Sequence, residues 1–157
     1  MAIEQVRAYF KQWNRDGDII EMDVSTATVA EAANALGVIP ARIAKSISLK
    51  QGDGVMIVVT AGDMKLDNRK YKDQFTCKAR MLSPEEALQS TGHAVGGVCP
   101  FALPAGIPVY LDISMKRFQT VYPACGSGNS AIELTLEELA QYSQSREWVD
   151  VCKLIEE

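Results

Sequence analysis

From Met1 to Trp13 the apolar positions are interleaved with Glu4, Arg7 and Lys11, a spacing that predicts an amphipathic helix. The Asn, Asp and Gly cluster between Asn14 and Asp18 stops it. Ile19 to Val24 mixes apolar and acidic positions and suits a short strand. Thr28-Val29-Ala30-Glu31 has the form of a capping box, and Gly37 followed by Pro40 closes the helix it opens. Within Ala41 to Lys50, the second half from Ser46 to Leu49 alternates and reads as extended. Gln51 to Gly54 is a turn, and the β-branched run Val55 to Thr60 is a buried strand, so the two segments form a hairpin. A polar, basic helix follows over Leu66 to Phe75. Ser83-Pro84-Glu85-Glu86 is a second capping box, with proline at the first helical position, for a helix reaching about Ser90.

Beyond Gly92 the texture changes to glycine, proline and short apolar runs. Strands are expected at Val109 to Ile113, Thr120 to Tyr122 and Ala131 to Leu134. A third capping box, Thr135 to Glu138, opens a helix running to about Tyr142. There is no internal repeat, no low-complexity segment and no dividing linker. Strands and helices follow one another without regular β-α-β alternation. The expected fold is α+β: a single compact domain over residues 1–157, with a mixed, barrel-like sheet flanked by helices.

Composition narrows the class. The chain has 157 residues, of which 47% are hydrophobic and 23% charged, the balance of a packed globule rather than a disordered chain. No window has the long uncharged apolar run of a membrane span, and the N-terminus does not read as a signal peptide. A cytoplasmic location is expected, with no membrane partner. Cys77, Cys99, Cys125 and Cys152 are widely spaced, as free thiols in a reducing compartment would be, and His93 is the single histidine available to a zinc site.

The net charge of -4 argues mildly against a large nucleic-acid surface, but its distribution is uneven. Between Lys65 and Arg80, six basic residues stand against Asp67 and Asp73. Such a stripe on an acidic body can steer a phosphate backbone to one face, or it can be a solvated helix face.

Familiar nucleophile and phosphate-loop motifs are missing. Three segments still look specialised. In Gly92 to Pro104, GHAVGGVCPFALP, Gly96 and Gly97 permit close backbone approaches and Pro100 fixes the exit, so the loop can aim N–H groups at a carbonyl oxygen; it also fits a plain tight connection. His93 and Cys99 in the same loop could form a Cys-His pair. Lys45 sits beside a buried-looking strand. It is either a functional ammonium in a polar pocket or a snorkelling surface lysine. Gly126-Ser127-Gly128-Asn129 is a polar loop between strands, able to bind a ligand or simply to turn the chain.

Together these segments resemble the YbaK family of aminoacyl-tRNA deacylases, related to the editing insertion of bacterial prolyl-tRNA synthetase. Gly96-Gly97-Val98-Cys99-Pro100 is similar to the family's G-x-x-x-P loop. Lys45 is similar to its early-strand lysine, and Ala124-Cys125-Gly126-Ser127 with the following Ile-Glu-Leu to its late glycine loop and strand. The resemblance runs from about Thr28 to Tyr142. It implies a free-standing enzyme hydrolysing the ester of a mischarged tRNA, typically tRNA for proline carrying alanine, cysteine or another small amino acid. Lys45, Gly96 and Gly97 would be catalytic. His93, Val98, Cys99, Pro100, Gly126 and Ser127 would contact the aminoacyl end. Lys65, Arg69, Lys70 and Lys72 would meet the tRNA. No metal or cofactor is implied. Mischarged tRNA is the expected partner, with prolyl-tRNA synthetase a further one, and DNA is not. The rival readings are a non-catalytic module binding an amino acid or aminoacyl-tRNA in the same pocket, and a thiol hydrolase using Cys99 and His93.

Overall fold

The computed structural model describes residues 2–94 and 96–155. Met1, Val95 and Glu156–Glu157 lie outside the described residues, including the first position of the expected N-terminal helix. Helix α1 spans Ala2–Phe10 and buries Val6 and Phe10. It then tightens into a 3₁₀ turn that ends on left-handed Asn14, inside the expected breaker cluster. Strand β1 is only Ile20–Glu21. The longer strand expected there does not form. Met22 and Thr26 instead donate backbone N–H groups to Asn129 and Gly128 across a loop.

Helix α2, Val29–Leu36, is capped by Thr28 and closed by Gly37. Only the forward half of its capping box forms: the Glu31 N–H donates to Thr28 Oγ1, while the Glu31 carboxylate takes the hydroxyls of Ser25 and Thr28. The boxes opening α4 (Pro84–Thr91) and α5 (Leu136–Ser143) form in both directions. Helix α3 is Asn68–Phe75, capped by Asp67. It starts later than its pattern suggests because Met64–Leu66 is a strand, β4.

Strands β2 (Ile43–Gln51) and β3 (Gly54–Ala61) make the expected antiparallel hairpin, with Gln51 opposite Gly54. With β5 (Val109–Asp112), β6 (Thr120–Pro123), β8 (Leu134–Thr135) and β9 (Glu147–Val149) they build a six-stranded sheet, order β8-β6-β2-β3-β5-β9. Parallel and antiparallel pairs mix, and the sheet curls into a half-barrel. The expected strand at Ala131–Leu134 is split. Ser130–Ala131 (β7) pairs with β1, Ile132 donates to Pro123, and β8 pairs with β6. Strand β10, Cys152–Leu154, pairs with β4.

Two apolar layers hold this sheet, because strand side chains alternate between its faces. Ala44, Ile57, Val59, Val109 and Leu111 meet Phe10, Phe101 and Leu139 on one side. Ile47, Leu49, Met56 and Val58 meet Tyr71 and Val151 on the other. Burying an aliphatic side chain of this size contributes about 1.5–3 kcal/mol, so these layers fix the register of β2 and with it the sites of Lys45 and Ser46. Among the described residues, no helix is long and apolar enough to cross a membrane.

Candidate active site

Strand β2 sits mid-sheet, yet one of its edges is incompletely covered. Its parallel pairing with β6 stops at Ala44↔Pro123. Cover resumes at Ser48, whose carbonyl accepts the Leu82 N–H at 3.0 Å, and at Lys50, which donates to Arg80. Between these points opens a cavity of about 290 Å³. Its lining is mostly apolar, from Ala27, Val29 and Ala32 to Met81, Leu82 and Tyr122, and threonine and serine residues are interspersed among these. Lys45 is the one residue of a charged type among the described residues that line it, although its ammonium is held by the Met64 carbonyl, outside that lining.

The glycine loop is pressed into the same place. Gly96 borders the cavity with φ +87°, a conformation that a side chain resists, and a Cβ there would lie 2.8 Å from Ala27 Cβ. Gly97 works by proximity. A Cβ on it would meet the Ser127 nitrogen at 2.7 Å and the Gly126 carbonyl carbon at 2.8 Å. The Gly97 N–H is taken by the Ala94 carbonyl at 2.9 Å. Thus the G-x-x-x-P loop and the late glycine loop stack backbone on backbone. Ser127 Oγ lies 2.7 Å from Ser130 Oγ, and Ser130 in turn lines the cavity. Lys45, Gly96 and Val98 therefore share one cavity, with Gly97, Gly126 and Ser127 supporting its wall.

The Lys45 ammonium donates to the Met64 carbonyl, on the opposite sheet face from Ala44 and Ser46. Burial pushes its pKa below the ordinary lysine range, with Cys152 and Asp63 partly offsetting this. Asp63 itself is held by a two-pronged ion pair from Arg117, at 2.7 and 3.0 Å.

His93 and Cys99 do come together, Nε2 to Sγ at 3.5 Å, but both are 0% exposed and neither lines the cavity. His93 Nε2 lies 2.9 Å from the Phe101 carbonyl, which can only accept, so this nitrogen carries the proton. It is therefore unable to take one from the thiol. Burial pushes the Cys99 pKa up to about 12 and the His93 pKa down, the reverse of an activated thiolate-imidazolium pair. Pro100 lines a separate cavity near Tyr9 and Arg146.

The basic residues lie apart from the cavity. Lys65, Arg69 and Lys72 are exposed on β4 and α3. Lys70 is tied to Asp150 at 3.0 Å and to the Cys152 carbonyl at 3.1 Å. Lys153 on β10 stands directly opposite Lys65. Sequence reasoning overlooked Lys153, and also Thr26 and Ser46, which line the cavity. The signal for the latter two was present: a Ser-Thr-Ala-Thr run before α2, and serines alternating with apolar residues along β2.

A family model described as an aminoacyl-tRNA editing domain matches residues 23–142. The uncharacterised protein YwhH of Bacillus subtilis is 56% identical over 154 residues, covering 98% of both chains. A proline–tRNA ligase of Thermotoga sp. (strain RQ2) is 35% identical over 77 residues, 48% of this chain but only 13% of the ligase. A crystal structure described as a candidate trans-editing enzyme for prolyl tRNA synthetase superposes with a TM-score of 0.87 at 26% identity, covering 97% of each chain.

Proposed function

Since the chain belongs to the aminoacyl-tRNA editing domain family, and is by that an aminoacyl-tRNA deacylase, we propose that it acts in trans on tRNA for proline carrying a small wrong amino acid. The observation that carries this reading is that Lys45, Gly96 and Val98 border one mostly apolar cavity, with the Lys45 ammonium resting on the Met64 carbonyl on the other sheet face. The partial match to proline–tRNA ligases and the solved trans-editing relative support the choice of tRNA and the mode of action.

The chemistry asks little of the protein. An aminoacyl ester is already activated, so its hydrolysis needs positioning and carbonyl polarisation more than a protein nucleophile. Water adds to the ester carbonyl, the tetrahedral oxyanion collapses, and the terminal ribose oxygen leaves and takes a proton. Free amino acid and uncharged tRNA result. The glycine loop seats the aminoacyl group against the wall formed by Gly97 and Ser127. Lys45 leaves the Met64 carbonyl to meet the ribose or phosphate side of the terminal adenosine, as a compact point charge. A neighbouring ribose hydroxyl or the water itself carries the proton.

The test is a panel of tRNA for proline charged with alanine, cysteine, serine and proline. Hydrolysis of the wrongly charged species with prolyl-tRNA spared is expected. Rapid loss of prolyl-tRNA, or binding of every species without turnover, overturns the reading.

A further inference from the structure

The turn between β3 and β4 is held from three directions. The Asp63 carbonyl accepts the Ile155 N–H at 2.9 Å. The Asp63 carboxylate takes both terminal nitrogens of Arg117, at 2.7 and 3.0 Å. The next carbonyl along the chain, that of Met64, accepts the Lys45 ammonium. Arg117 ends the 3₁₀ turn Ile113–Arg117 and is itself aimed by its Nε, which donates to the Ser114 carbonyl at 2.7 Å. A planar fork with all three nitrogens engaged has one orientation, and it takes up both Asp63 oxygens.

Asp63 is the carboxylate whose charge acts on Lys45. The hydrogen bonds from Arg117 hold it below the usual carboxylate range, so it is ionised at neutral pH. The neighbours on the other strands are neutral. Thr60 stands opposite Lys45 on β3, and burial pushes the Cys152 thiol of β10 up to about 12. The Asp112 carboxylate, which acts on Cys152 and Arg117, accepts the N–H groups of Ser114 and Val151, each at 3.0 Å. A lysine seated one residue along from an ionised carboxylate would ordinarily move onto it, since opposite charges attract more strongly than a charge and a dipole. Here the ammonium rests on a neutral carbonyl instead. We propose that Arg117 is a positioning residue for the reaction: by occupying both oxygens of Asp63 it keeps that carboxylate off the Lys45 ammonium, which stays on a partner that substrate can displace. This rests on the deacylase reading above and on the role given there to Lys45.

The ion pair is partly exposed, Arg117 at 42% and Asp63 at 30%, so its loss should cost little stability. The experiment measures single-turnover deacylation of tRNA for proline charged with alanine across a pH series, corrected for spontaneous hydrolysis. It compares the wild type, Arg117→Gln, Asp63→Asn, the double variant and Arg117→Lys, with melting temperatures alongside. Arg117→Gln frees Asp63 to capture Lys45. Its rate at neutral pH should fall about tenfold, the difference between releasing an ammonium from a carboxylate and from a carbonyl. Its alkaline limb should move to higher pH. Asp63→Asn removes the negative charge and should move that limb to lower pH. The double variant has no carboxylate left to capture the amine, so it should recover most of the rate lost in Arg117→Gln. Arg117→Lys, which keeps a charged contact without the fork, should fall between the wild type and Arg117→Gln. A double variant no faster than Arg117→Gln makes the clamp merely structural and overturns the proposal. So does an alkaline limb that stays put in both single variants, while wild-type turnover leaves the deacylase reading standing. Inactivity of the wild type towards every wrongly charged tRNA overturns both.

Discussion

The ammonium of Lys45 donates to the carbonyl of Met64, which ties the cavity-lining strand β2 to β4. In the proposed mechanism the lysine exchanges that neutral carbonyl for a substrate oxygen. Lys45→Ala should therefore lower deacylation at least about 10²-fold, the range seen when one electrostatic donor to the reacting group is removed. Lys45→Arg should rescue poorly, because a planar fork does not replace a compact ammonium. Single-turnover assays with thermal melting check that chemistry and not folding is affected. Wild-type rates in Lys45→Ala would remove this residue from the site.

The pH dependence follows from the same burial. The folded protein holds the Lys45 proton less tightly than the unfolded chain does. Between the lowered folded pKa and the ordinary lysine value the unfolded state binds more protons, so this group's contribution to stability rises with pH across that window. If activity needs the charged amine, it falls over the same window, at lower pH than for a solvent-exposed lysine. Melting temperature and enzyme-dependent turnover, corrected for spontaneous ester hydrolysis, should thus move in opposite directions there. An alkaline limb shared by Lys45→Ala would assign it to another group.

Gly97 has no room for a side chain. In Gly97→Ala the new methyl group would meet the Ser127 nitrogen and the Gly126 carbonyl carbon, backbone atoms that cannot swing aside. Separating the two loops should cost about 1–3 kcal/mol of stability. It should also slow small substrates sharply, since the loop carrying Gly96 and Val98 shifts with it. Chemical denaturation and deacylation rates together test this, and an unchanged rate would mean that the loops separate without moving the cavity wall.

The parts of this architecture that were legible in the sequence were those written in local chemistry. Ser83 with Glu86 and Thr135 with Glu138 close full boxes from partners three residues apart, whereas Thr28 with Glu31, at the same spacing, closes only half because the Glu31 carboxylate takes the Ser25 and Thr28 hydroxyls. The β2–β3 hairpin follows from its alternation and its turn. Strands β9 and β10 were not legible, because short segments such as Glu147–Val149 are extended by their partners and not by their own pattern. At the site, Lys45 and the glycine loop stood out by residue type. Thr26 did not, because an ordinary threonine becomes notable only once burial leaves its hydroxyl without a partner among the described residues.

Cys99→Ser should retain most of the activity. The thiol is fully buried, its pKa is pushed up to about 12, and the neighbouring imidazole nitrogen is already protonated and bonded to Phe101. His93→Ala removes the donor to a buried carbonyl and should cost about 1–3 kcal/mol of stability, with turnover per folded molecule largely kept. Mass spectrometry of the wild type under turnover should find no acyl-thioester. Trapping one on Cys99 would instead establish a thiol mechanism.

Lys65 and Lys153 face each other across the β4–β10 pair, a like-charge arrangement that disfavours folding. A surface that keeps such a pair beside exposed Arg69 and Lys72 is suited to a polyanion. Replacing Lys65, Arg69 and Lys72 by glutamine should weaken tRNA binding and make the dependence of log affinity on log salt shallower, by about one unit of slope for each phosphate no longer neutralised. Lys70→Gln should do less, because its ammonium is already held by Asp150 and the Cys152 carbonyl. Deacylation of a minimal aminoacyl-nucleotide should be unaffected by all four changes, since it lacks the stem these residues would meet. Lys65→Gln alone should raise the melting temperature slightly while weakening tRNA binding, opposite signs that loss of folding cannot produce. Unchanged affinity and salt slope in the triple variant would make this stripe a solvated face.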